Sequence, residues 1–295
     1  NTAIGRSALE NNTTASNNTA VGRNTLLANT TGADNVAVGA NSLDANTTGQ
    51  GNNAIGRNAL GVNTTGSYNQ AIGRECLDAN TEGEMNVGVG HASLSGNTTG
   101  DKNIAIGFDA LNSNTTASDN TAVGHNALKQ NTAANNIAIG SSALAVNTTG
   151  AQNTAVGTNA LDANTTGNYN TGIGKDSLTA NTTGQQNTAM GVSSMITNTT
   201  GDFNTAIGNN ALYSNSTGDE NTAVGRASLF NNTGNYNTAV GDLALYSNTT
   251  ASNNTAIGDN ALGSNTTGAD NTACGSITLD ANTTGSNNDA FGRNG

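Results

Sequence analysis

Asn136-Ile137-Ala138-Ile139-Gly140-Ser141-Ser142-Ala143-Leu144 is the unit from which the rest of the chain is built. The pattern opens at Asn1-Thr2-Ala3-Ile4-Gly5, again at Asn18-Thr19-Ala20-Val21-Gly22, and recurs every 17 residues to Asn288-Asp289-Ala290-Phe291-Gly292. Only the copies that start at Asn120 and Asn221 are one residue short. A strict short period is the signature of an array whose units stack on their neighbours. Residues 1–295 therefore read as a single repeat domain, and function belongs to the array rather than to one pocket.

Positions are counted here from the opening Asn of each copy. Thr2-Ala3-Ile4 is β-branched and alternating and is followed by Gly5, which predicts a short strand ended by a turn. Ser7-Ala8-Leu9 reads as a second short extended segment. Asn12-Thr13-Thr14 leads to a position held mostly by Gly (Gly32, Gly49, Gly66), and Asn with Gly marks a wide turn. Gly and β-branched residues recur too often for a helix to propagate. The expectation is an all-β parallel β-solenoid of about 17 coils, 17 residues per coil, with strands pairing along the axis. Alternation is expected to place position 4 (Ile4, Val21, Val38) inside, against Leu9, Leu26 and Leu43. It would leave Ala3, Ala20, Ala37 and Gly88 outside.

Asn1 and Asn12 recur in every complete copy, and stacked amides donating to one another are the structural reading. N-glycosylation competes with it, because Asn29, Asn46 and Asn63 each begin an Asn-Thr-Thr triplet.

Aromatic residues make up 3% of the chain, Pro and Trp are absent, and much of the 34% hydrophobic content is Ala, so the core must be thin and linear. The formal charge of −11 keeps such an array soluble and argues against nucleic acid or an anionic membrane as partner. No apolar run approaches the length of a membrane-spanning helix, so no membrane insertion by this segment is expected. The chain opens on Asn1 rather than Met, which predicts a processed chain or a segment of something longer. Cys76 and Cys274 stand at small or apolar repeat positions, twelve coils apart, beyond disulfide reach.

Catalysis needs a constellation that does not repeat, and the sequence offers none, so neither an enzyme nor a cofactor is expected. His91 and His125 are the only histidines, and Phe108 holds the same position between them, which speaks against a metal site. One charge pattern stands out. Position 6 carries Arg6, Arg23, Arg57, Arg74, Lys175, Arg226 and Arg293, seven of the nine basic residues. Asp34, Glu84, Asp101, Asp202, Asp219 and Asp270 sit on the wide turns. Such a basic edge suits an anionic ligand, and the plainer reading is an alternating-sign surface that keeps neighbouring molecules apart.

Asn135-Asn136-Ile137-Ala138-Ile139-Gly140-Ser141-Ser142-Ala143 and Met85-Asn86-Val87-Gly88-Val89-Gly90-His91-Ala92-Ser93 resemble the head repeats of YadA-like trimeric autotransporter adhesins. The Asn-Thr-Ala-Val-Gly copies are also similar to repeats of phage tail fibres and other bacterial surface fibres. The resemblance spans the chain. It implies a left-handed β-roll assembled as a homotrimer, extracellular on a cell or virion surface, with binding as its work. The adhesin repeat is several residues shorter, the Asn12-Thr13-Thr14-Gly loop being the added part. Each coil offers little more than one Ile or Val and one Leu, and association through the small face of Ala3, Ala20, Ala37, Ala54 and Ala71 would cover more surface.

The reading that follows is a non-enzymatic attachment fibre segment, an adhesin head or stalk or a phage tail fibre, binding carbohydrate or another host or matrix ligand. A self-assembling extracellular filament is the alternative, because open coil ends are templates for strand addition. Ice or crystal-surface binding by the ranks of Thr13, Thr30, Thr47 and Thr14, Thr31, Thr48 comes last, since these threonines lie in a turn.

Overall fold

The structure is a computed structural model that describes residues 1–294, and over them the chain is an all-β parallel β-solenoid of about 17 turns without a helix. It divides into two compact units, Asn1–Thr149 and Gly150–Gly295. In the first, β1 (Thr2–Ile4) to β9 (Ile137–Ile139) pair in parallel, each residue opposite its equivalent in the next coil. In the second, β10 (Thr154–Val156) to β18 (Asp289–Phe291) repeat the arrangement.

Each coil contains one strand, not the two expected. Positions 7 and 9 are left-handed, as at Asn24 (φ 55°) and Leu26 (φ 50°), so the Ser7-Ala8-Leu9 type segment is a turn. Its backbone still pairs from coil to coil: Asn24 N donates to Arg6 O at 2.9 Å and Leu26 N to Ser42 O at 3.1 Å. Left-handed Leu is costly in isolation, and here its fully buried side chain holds it there. The glycine that ends each strand has two reasons to be glycine. Gly22 has φ 142°, and a Cβ on it would lie 2.6 Å from Gly39 O in the next coil.

The strand faces are the reverse of those expected. Ala20, Ala37, Ala54 and their equivalents are fully buried, whereas Ile72 is 44%, Ile139 41% and Ile257 43% exposed. The reason is the width of the coil. A Cβ at Gly88 would meet Cys76 Sγ at 2.4 Å, Ser93 Oγ at 3.2 Å and Leu77 Cδ1 at 3.6 Å, so position 3 points at positions 8 and 9 across an interior with room for little beyond a methyl group. Where position 8 holds the larger Cys76, the facing position has shrunk to glycine. Burial pushes the Cys76 thiol up to about 11, and its sulfur lies 3.1 Å from Ser93 Oγ. The small face expected to bring copies together is therefore the inside of the coil.

The rest of the interior is amide. Asn46 Nδ2 donates to Asn29 Oδ1 at 2.9 Å and to Gly49 O at 3.0 Å, and Asn63 repeats this one coil on. The opening asparagines form a second rank, in which Asn35 N donates to Asn18 Oδ1 at 2.9 Å and Asn35 Nδ2 to Gly49 O at 2.9 Å. Two side chains thus converge on the carbonyl at position 15, closing the wide turn without an unpaired buried group.

The short coils interrupt this order. Strand register passes through both, Thr121 opposite Ile137 and Thr222 opposite Thr238, so the missing residue is absorbed in the wide turn. In each preceding coil an amide oxygen, Asn114 Oδ1 or Asn215 Oδ1, is left buried without a donor.

Candidate functional site

With the core filled by Ala, Leu and Asn, whatever the array does must be done by its outward ranks. The flattest is the strand face itself, where positions 2 and 4 point out. In the first unit this face is wholly aliphatic at Val36 and Val38, at Val87, Val89, Ile104 and Ile106, and again at Ile137 and Ile139, with Thr121 and Val123 before the last. In the second unit position 2 is an unbroken rank of eight threonines from Thr154 to Thr272, beside Val156, Ile173, Met190, Ile207, Val224, Val240, Ile257 and Cys274.

Two edges flank this face. The position 6 edge holds the basic residues, and the structure gives four of the seven an acidic neighbour. Arg57 Nη2 lies 3.1 Å from Glu75 Oε1 and Arg74 Nη1 3.9 Å from the same oxygen, while Lys175 Nζ is 3.3 Å from Asp176 Oδ2 and Arg226 Nη2 2.7 Å from Asp242 Oδ2. Arg6, Arg23 and Arg293 are exposed. The edge is thus largely neutralised along its own length. His91, Phe108 and His125 stack on it with ring centroids 5.0 and 5.6 Å apart, and Arg74 Nη2 lies against His91 Nε2. Among the described residues no three His, Cys, Asp or Glu side chains converge as metal ligands. The other edge, position 17, carries Tyr68, Met85, Tyr169, Phe203 and Tyr236, each about half exposed.

Asn29, Asn46 and Asn63 are fully buried, and the Nδ2 of each donates twice. A glycan on any of them is incompatible with the closed coil. Thr30, Thr47 and Thr64 of the same turn donate their hydroxyls to the next coil, at 3.0 Å in each case. These threonines stitch coils together and have no hydroxyl proton left for an outside surface.

Next to the position 6 and 7 side chains, position 10 forms a further rank, which the charge and hydrophobic patterns do not single out. Tyr213, Phe230 and Tyr246 stack there with centroids 4.8 and 5.2 Å apart and ring planes 7° and 19° from parallel. Three aromatics at one repeat position in consecutive copies were the available signal. The rank ends at Gly263, beside which lies a cavity of about 450 Å³ lined by Phe230, Tyr246, Ala227, Leu243, Asn210, Asn260, Arg226, Gly263 and Ser264. In the first unit Gly61 makes a similar gap between Asp44 and Asp78, in a cavity of about 330 Å³. Burial pushes both carboxyls above the usual carboxylate range.

No protein-family model matches this chain, and no curated protein sequence is significantly similar to it.

Proposed function

We propose that this chain is a non-enzymatic attachment fibre segment that works as a homotrimer of left-handed rolls with parallel axes, on the outside of a cell or virion. The observation that carries the reading is the outward aliphatic strand face. Contiguous apolar patches on a soluble protein mark a place where something binds, and this one repeats with the coil. The resemblance to adhesin and tail-fibre repeats points the same way, with the interface moved from the alanines to Ile and Val.

The two edges fit a closed three-fold ring, in which the position 17 edge of one copy meets the position 6 edge of the next. Level by level they are complementary. Tyr68 would meet Arg74, Lys102 would meet Phe108 and Tyr169 would meet Lys175, all cation with ring. Asp119 falls opposite His125 and Glu220 opposite Arg226, and at no strand level do two like charges meet. The wide turns and the position 10 side stay outward for ligands, which include carbohydrate and other host or matrix surfaces. Ile137→Lys with Ile139→Lys should leave a soluble folded chain of one-third the mass. Beads coated with the parent protein should adhere to a ligand-bearing surface, and beads coated with the variant should not. Equal mass and equal adhesion would remove the strand face from the account.

The threonine rank of the second unit favours a second reading, ice or crystal-surface binding. It sits on a flat strand face at regular strand spacing, about 4.8 Å from coil to coil, which the turn threonines do not. The two readings compete for one face. Thermal hysteresis in a monomeric protein would select the second, and end-to-end growth of filaments with concentration would select the filament.

A further inference from the structure

The cavity beside Gly263 reaches the position 6 edge only at Arg226, and its Phe230, Tyr246, Leu243 and Asn260 walls lie off the strand face. We propose that it is a slot for a short neutral oligosaccharide, with one pyranose ring stacked on Tyr246. The inference rests on the attachment reading and names the class of its ligand.

Phe230 covers one face of the Tyr246 ring, at 5.2 Å between centroids. The next position in the rank is Gly263, so the other face meets no side chain of that rank. The coil cannot close over the gap, because Ser247 N donates to Gly263 O at 3.1 Å and holds the two backbones at ladder spacing. The result is a recess that continues a stack already formed and that the Asn260 amide enters beside Gly263, and preorganisation of this kind lowers the cost of binding.

The polar groups decide what kind of ring fits. Position 7 runs Asn210, Ala227, Leu243, Asn260, an apolar floor two coils long with an amide at each end, roughly 14 Å apart at strand spacing. Elsewhere position 7 amides bond one another, as Asn41 Nδ2 does with Asn58 Oδ1 at 3.3 Å. Ala227 and Leu243 deny Asn210 and Asn260 that partner, and neither side-chain amide has a hydrogen bond among the described residues. Asn260 is aimed into the slot, since its Oδ1 lies 2.2 Å from where a Cβ on Gly263 would stand. An apolar ring face with hydroxyls around its rim satisfies both features, whereas a purely aromatic ligand would leave the amides unpaired. Arg226 already has its carboxylate in Asp242, so the site carries no free positive charge and selects against acidic sugars.

The test is saturation-transfer NMR of the intact protein with cellotriose, maltotriose and triacetylchitotriose at about 10 mM, an affinity range suited to one stacked ring. At least one of the three should bind and shift the Tyr246 ring resonances. Gly263→Phe should abolish binding by filling the slot. The atoms nearest its Cβ belong to the Asn260 side chain, and an unchanged circular dichroism spectrum would verify the fold. Tyr246→Phe should bind within about threefold of the parent, and Tyr246→Ala should lose about tenfold. Silence from all three sugars overturns the proposal, as does binding that survives Gly263→Phe, and tighter binding of trigalacturonate would overturn the neutrality of the site. A monomeric mass with sugar binding intact would overturn the trimer and leave the slot standing.

Discussion

The coils that start at Asn120 and Asn221 have lost the same residue from the same turn and have healed differently. In the second, Gly234 O takes the place of the usual position 15 carbonyl and accepts from both Asn221 Nδ2 at 2.8 Å and Asn232 Nδ2 at 2.9 Å. In the first, Asn131 Nδ2 reaches only Ala133 O, at 2.6 Å, and Asn120 Nδ2 is buried without an acceptor. A glycine one residue after the threonine lets the turn tighten enough to restore the convergence, and Ala133-Ala134 does not. The difference separates two jobs within one repeat. The strand and the Leu turn set the register and survive a deletion, while the Asn turn provides polar closure and registers any change in length.

The largest expected effects lie where the two short coils agree. Leu128 and Leu229 are both fully buried, and the amide of each donates to the next coil at 3.0 and 2.9 Å. Leu128→Asp and Leu229→Asp should each cost roughly 4 kcal/mol or more, by an unpaired charge in the core, whereas Arg226→Ala in the same coil should stay within about 0.5 kcal/mol. Urea unfolding gives all three, and equal values would mean that the faces are assigned wrongly.

Next come the asparagines themselves. Asn97 donates to Asn80 Oδ1 and Gly100 O and accepts from Asn114 Nδ2, at 2.8, 3.0 and 3.0 Å. Asn114 donates twice but accepts nothing. Asn97→Ala should therefore cost about 3 kcal/mol and Asn114→Ala about 1 kcal/mol less. Insertion of one Thr after Thr132 should recover about 1–2 kcal/mol by restoring acceptors to Asn120 and a donor to Asn114. The same insertion after Thr233 should recover less, since Asn221 is already satisfied. The reverse ranking would show that the difference between the two turns is not one of hydrogen bonding.

Much of this is legible in the sequence. The period, the absence of helix, the strand at Thr2-Ala3-Ile4 and the stacked asparagines follow from residue types at fixed spacing. The orientation of the strand was missed because the larger residue is usually the inner one, and only the width of the coil, seen where Gly88 faces Cys76, forces alanine inward. The second extended segment is a turn instead, and the sequence carries the reason. Position 7 is mostly Asn or Asp (Asn24, Asn41, Asn58, Asp109, Asn126, Asn159, Asp176), the residues that accept left-handed backbone most readily. The pairing of Arg226 with Asp242 is readable too, since both hold position 6 of consecutive copies, the first of them one residue short.

A smaller effect tests the packing within a regular coil. Gly88→Ala alone should cost about 2 kcal/mol, because its methyl group falls 2.4 Å from Cys76 Sγ, and Cys76→Ala in the same chain should recover most of it. The smallest effect concerns rate alone. The thiolate is the reactive species, and burial holds Cys76 protonated to about pH 11, so iodoacetamide at pH 8 should label partly exposed Cys274 well before Cys76. The order would invert if the Cys76 rank faced solvent.

Light scattering of the unmodified protein at micromolar concentration tests most directly the claim that the outward Ile and Val ranks are an interface. The account predicts three times 29.2 kDa, falling to a single 29.2 kDa chain when Ile137 and Ile139 are both replaced by Lys. A folded parent protein that scatters as 29.2 kDa at every concentration would contradict it.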